Sequence, residues 1–104
     1  MVDRKIDDQT IEKMEELLNV ASDFTRLKIM HALLQGEKNV GELIEEVGAS
    51  QSLVSHQLQV LRKNRLVSVR KDGTRAYYIL NDEHINKLFE VVYEHVKEKE
   101  ETGE

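Results

Sequence analysis

The apolar residues of this chain change their period once and then change it back, and that double switch limits the fold more than any other feature. Up to Asn64 they recur every three or four positions, as on the buried side of an amphipathic helix. From Arg65 to Leu80 they fall into two β-rich runs, RLVSVR and RAYYIL, around KDGT. An Asp-Gly step between two such runs is a strong short-range hairpin signal. After Leu80 the helical period returns and persists towards the C-terminus.

The helical part divides at its caps. Ile11, Met14, Leu17, Leu18 and Ala21 predict a first helix from about Asp8 to Val20. Ser22 or Asp23 caps a second, with Leu27, Met30, Leu33 and Leu34 as its apolar stripe and Gly36 at its end. VGELIEEV predicts a short third helix with Leu43, Ile44 and Val47 inward, stopped by Gly48. Ser50 then caps QSLVSHQLQVLRKN, whose core side is Val54, Leu58 and Leu61. A last helix starts near Asn81 or Asp82 and frays in KEKEETGE. Two helices joined by a four-to-five-residue connection and followed by a hairpin make the winged helix-turn-helix plan. The expectation is a mainly α fold with a β-hairpin wing (α+β), one domain over 1–104, ordered from about 8 to 98 with a frayed acidic tail over 99–104.

Composition narrows the chemistry. At 104 residues the chain has room for one small core, and a subunit interface would add burial. It has no cysteine, which removes disulfides, thiolate catalysis and cysteine-based zinc fingers. It has no proline either, which suits a mostly helical chain. No apolar run has the length of a membrane helix, and MVDRKIDDQT has no signal-peptide core, so a cytoplasmic location and no membrane partner are expected. Between Ala49 and Leu80 six Lys and Arg face one Asp, a local net charge of +5 in a chain whose total is -5. A basic segment in an acidic protein suggests a surface aimed at a polyanion.

That basic segment carries the candidate reading surface. With Val54, Leu58 and Leu61 inward, 100° per residue turns Ser52, His56, Gln59 and Lys63 outward, with Gln51 and Ser55 on the N-terminal flank. Neutral donors and acceptors at the start of the helix suit base edges, and cations at its end suit phosphates. Arg70, Lys71 and Arg75 around Asp72-Gly73 give the hairpin tip a charge that can reach the DNA backbone. Double-stranded operator DNA is therefore the expected partner.

ASDFTRLKIMHAL and ASQSLVSHQLQVLRKNRLVSVRKDGTRAYYIL resemble the second helix, recognition helix and wing of the ArsR/SmtB family of metal-sensing bacterial repressors. The resemblance runs from about Ala21 to Glu98, with Ser52 to Leu58 its more specific core. Phe24 departs from it, because many members carry proline there. It implies a homodimeric repressor, and no enzyme.

The last helix holds His84 and His95 eleven residues apart. That is a rise of roughly 16 Å on nearly one face, whereas two imidazoles sharing a zinc must lie within roughly 4 Å of each other. One helix cannot bring them together. Two antiparallel copies about a two-fold axis can, setting His84 of one chain beside His95 and Glu98 of the other, with Leu88 and Val91 between the two sites. Asp82, before the first full turn, need not follow helical spacing. In zinc-sensing members of the resembled family such a site uses Asp-x-His near the start of this helix and His-x-x-His/Glu near its end. The pattern maps onto Asp82 and His84 from one chain and His95 and Glu98 from the other. The family's cysteine site has no counterpart here. Nitrogen and oxygen donors suit Zn2+, with Co2+ as a substitute and copper as a competitor. His31 is expected half-buried on the second helix, and His56 facing DNA.

Three rival readings remain at the level of sequence. One is a repressor of the same family that answers a non-metal signal. Another is a zinc hydrolase, disfavoured because four protein ligands leave no open coordination position and the chain has little room for a small-molecule substrate. The third is a protein-binding winged helix, disfavoured by the basic segment.

Overall fold

The computed structural model describes residues 5–81 and 83–103, and Asp82 lies outside them. Five helices and a small sheet follow in the order α1 (Asp8–Ala21), α2 (Phe24–Leu33), β1 (Lys38–Asn39), α3 (Val40–Val47), α4 (Gln51–Lys63), β2 (Val67–Asp72), β3 (Arg75–Leu80) and α5 (Glu83–Thr102). This is the winged helix-turn-helix expected. The connection between α3 and α4 is three residues, 48–50, shorter than expected. Helix α5 runs on to Thr102, through residues expected to fray.

The caps explain where the helices begin. Asp7 accepts from the Thr10 amide at 2.8 Å, Asp23 from the Arg26 amide at 3.1 Å and Ser50 from the Leu53 amide at 3.2 Å. Asn39 and Glu42 form a reciprocal capping box. Each such cap satisfies an orphan amide and contributes about 1 kcal/mol. Gly48, at φ 75°, lets the chain leave α3 in a left-handed turn that a side chain would strain.

The core sits where α2, α3, α4 and the sheet converge. Ile29, Leu43, Val54, Leu58 and Leu61 are all within 1% of complete burial. Val54, Leu58 and Leu61 are the inward stripe read from the sequence, so the outward side of α4 is fixed as well. Ile85 and Phe89 anchor the first turns of α5 to this core.

The sheet has three strands in the order β1-β3-β2, one more than the hairpin expected. Lys38 and Asn39 pair with Tyr78 and Tyr77; two residues are too few to show a period. In the hairpin Asp72 pairs with Arg75, so the two-residue loop is Gly73-Thr74 rather than Asp-Gly. Gly73, at φ 63°, takes the first loop position, where a type II′ turn favours glycine.

At the end of α4 the Arg65 amide donates to the Arg62 carbonyl at 3.0 Å and the Leu66 amide to Leu61 at 2.9 Å. This is the Schellman pattern, with Arg65 at φ 62° in the position glycine usually takes. Asn81, just before α5, ties the two ends together. Its amide donates to the Leu66 carbonyl at 2.9 Å, and its side chain donates to Arg65 at 3.4 Å.

Candidate functional site

Helix α4 presents Gln51, Ser52, His56, Gln59 and Lys63 to solvent, and Ser55 half-buried on the flank. Its outward surface thus carries neutral hydrogen-bonding groups first and a cation last, as the sequence predicted. Ser50 brings its hydroxyl to 3.4 Å from that of Ser52 at the start of the helix. The free amides of that first turn point where a phosphate can be received.

The reading of the sequence missed Gln57. It is only 9% exposed, the one buried polar residue recorded among the described residues. Its Oε1 accepts from Arg26 Nη1 at 2.7 Å, and Arg26 Nε donates to the Val20 carbonyl at 2.6 Å. Three elements therefore meet at one guanidinium: the end of α1, the start of α2 and the middle of α4. Position 57 does lie in the inward arc set by Val54, Leu58 and Leu61, which was the available signal. Its partner, 31 residues away, leaves no local trace in the sequence.

In the wing, Lys71 and Arg75 are exposed at the tip. Arg70 is engaged elsewhere. Its guanidinium donates to both carboxylate oxygens of Glu37, at 3.0 and 2.5 Å, and lies 4.9 Å from the centre of the Tyr77 ring. The hydrogen bond from Arg70 holds the Glu37 carboxyl below its usual range, and Glu37 raises Arg70 in return. The forked pair neutralises a charge that the sequence reading had assigned wholly to DNA.

On α5, His84, His95 and Glu98 are all exposed. Among the described residues of a single chain, no three His, Asp or Glu side chains come together as a metal cage. That is the separation that the eleven-residue spacing dictates. The donors are imidazole and carboxylate on accessible turns, residue types that fit a nitrogen- and oxygen-ligated zinc. From Glu90 to Glu101 every residue of α5 is exposed, including Val91 at 62% and Tyr93 at 55%. The apolar surface extends beyond the stripe of Leu88 and Val91: Val92 and Val96 join Leu18 of α1 in lining an open groove of about 460 Å³. His31 is exposed rather than half-buried, and its ring stacks on Phe89 of α5 at 5.9 Å.

Comparison with known proteins agrees with this architecture. The family described as "Bacterial regulatory protein, arsR family" matches residues 23–69, which span α2 to the start of the wing. The transcriptional repressor SmtB homolog of Synechocystis is 38% identical over 86% of this chain and 67% of its own length. The cadmium resistance regulatory protein CadC homolog of Staphylococcus aureus is 34% identical over 85% of this chain and 74% of its own. The solution structure of the homodimeric winged helix-turn-helix DNA-binding domain Mb0332 from Mycobacterium bovis superposes with a TM-score of 0.79. It covers 99% of this chain and 96% of that one at 26% identity. Fold and relatives alike are those of transcriptional regulators, not enzymes. The chain belongs to the ArsR/SmtB family of DNA-binding transcriptional repressors.

Proposed function

We propose that this protein is a homodimeric, zinc-responsive repressor whose dimer binds operator DNA in the metal-free state and lets go when its paired α5 helices are tied together by metal. The observation that carries this reading is the bare end of α5. It exposes Val91, Val92, Tyr93 and Val96, with His95 among them, Glu98 just after them and His84 at the other end of the helix. A radius of gyration of 15.5 Å supports a missing neighbour, since a compact chain of this length comes to about 13 Å. A second copy laid antiparallel on α1 and α5 covers this surface and brings His84 to the partner helix's His95 and Glu98.

Asp82 and His84 of one chain and His95 and Glu98 of the other are the proposed ligands, two sets per dimer. When bound, the zinc ion supplies a cross-link between subunits. The α5 helices, once tied, fix the angle between the two halves of the dimer. That angle sets the separation of the two α4 helices, which must match major-groove faces about 34 Å apart. A fixed separation that does not match lowers DNA affinity, and DNA lowers metal affinity by the same factor. Asn81 joins the start of α5 to the end of α4 within each chain and gives movement of α5 a short route to the reading helix.

Gln51, Ser52, Ser55, His56 and Gln59 are proposed to meet base edges and nearby phosphates, and Lys63, Lys71 and Arg75 to meet phosphates. Arg70 joins them only by exchanging Glu37 for a phosphate. A cytoplasmic location fits this role, and among the described residues no helix is long and apolar enough to cross a membrane. The CadC homolog's name, with its cadmium resistance, supports a metal as the signal. The absence of cysteine restricts a metal site to nitrogen and oxygen ligands, a set that zinc accepts.

Fluorescence anisotropy on a labelled duplex selected by the metal-free protein tests the proposal. Stoichiometric zinc should release the wild-type dimer and leave the His95→Gln dimer bound. Equal release of both proteins would remove His95 from the mechanism. No release of either would leave a repressor that answers another signal.

A further inference from the structure

The hydrogen bond between half-buried Arg26 and buried Gln57 ties the middle of α4 to α2, and neither the DNA surface nor the metal ligands account for it. Gln57 sits among Val54, Leu58 and Leu61, where an apolar residue would complete the core stripe. A buried amide persists there only with a partner, and its partner is charged. Arg26 is itself fixed at two further points: its amide donates to Asp23, and its Nε to the Val20 carbonyl at 2.6 Å. That carbonyl is one of the last four of α1, which lack acceptor duty inside the helix, so a cation is favoured there. The guanidinium is planar and its donors are rigidly splayed, so gripping Val20 with one edge leaves little freedom in where the other edge holds Gln57.

Apolar packing alone fixes the roll of α4 about its axis less sharply, because hydrophobic burial is non-directional. A hydrogen bond of 2.7 Å to a fixed guanidinium cannot slide without breaking. His56 immediately precedes Gln57, and Gln59 follows two residues later, both on the exposed side. Any roll of α4 about its axis moves them across the groove floor.

We propose that Arg26 is a positioning residue: through Gln57 it sets the roll of α4, and with it the selectivity of base reading, by referring the helix to the end of α1. The selectivity part rests on the reading of α4 as the DNA helix; the roll does not.

The test uses the full-length protein with Gln57→Met, which keeps side-chain volume and removes the acceptor, and Gln57→Glu, which keeps the acceptor. Residual dipolar couplings of the ¹⁵N-labelled protein without DNA report the orientation of α4 against α2 and α3. Gln57→Met should displace the α4 couplings while those of α2 and α3 stay as in wild type, and Gln57→Glu should leave all three in place. Unchanged α4 couplings in Gln57→Met would overturn the clamp. In parallel, affinity is measured for a duplex that the wild type selects from a random pool and for an unselected duplex. The ratio of the two should fall on the order of tenfold in Gln57→Met, with affinity for the unselected duplex held. A preserved ratio despite displaced couplings would overturn the link to selectivity. A wild type with no preference for any duplex would instead sink the DNA reading of α4, and the couplings would still decide the clamp.

Discussion

Arg65 ends the reading helix in a left-handed conformation, the only residue other than glycine with positive φ among those described. A Cβ in that region is disfavoured by about 1–2 kcal/mol. Arg65→Gly is therefore expected to raise the stability of the protein by about 0.5–1 kcal/mol, after the greater flexibility of glycine in the unfolded chain is counted. The midpoint of urea unfolding measures it, and a lower midpoint would show that Arg65 makes a compensating contact. Arg70 calls for a different experiment. Lys71→Ala or Arg75→Ala should each reduce the salt slope of DNA binding by about 1 per protomer. Arg70→Ala should reduce it less, because Glu37 already neutralises that charge, and Glu37→Gln should steepen it. The Arg70–Glu37 pair was not legible in the sequence, since 33 residues separate the two and each looks like an ordinary surface charge. The outward face of α4 was legible, because three core residues on a regular helix fix where every other side chain must point.

At the scale of elements, the caps carried most of the information. Ser50 was readable as a helix start, and the start of α2 was readable to within Ser22 or Asp23, because a short oxygen-bearing side chain before an apolar period favours a cap. Strand β1 was not readable, because Lys38 and Asn39 become a strand only through the edge that β3 offers. Acid weakens two of these local devices. Asp7, accepting from Thr10, and Glu37, accepting from Arg70, both titrate below their ordinary ranges. A lowered folded-state pKa gives stability that is present above the unfolded value and is lost as pH falls through the folded one. The start of α1 and the hold on the wing should therefore loosen below about pH 4, seen as faster amide exchange at Thr10 and along β2, with α4 unaffected. Inside α4, Leu58→Ala should cost about 2–5 kcal/mol of stability, as for other fully buried leucines, measured by chemical unfolding.

At the scale of the whole molecule, the single chain leaves a broad apolar surface bare on α1 and α5. Helix α1 buries no residue fully, and the far end of α5 covers nothing. The sequence hinted at this through the stripe from His84 to Glu98. It could not show that α1 contributes Leu18 to the same surface, because that depends on how two distant helices lie together. The proposed pairing makes the apolar surface and the separated ligands two consequences of one arrangement. A dimer mixed from His84→Ala and His95→Ala chains tests it most directly. Each variant alone destroys both sites. In the mixed dimer the chain that keeps His95 faces the chain that keeps His84, so one site is whole. The account predicts that the purified mixed dimer binds one zinc ion while either parent dimer binds none. A mixed dimer that binds no zinc, beside a wild type that binds two ions, would contradict ligand sharing between subunits.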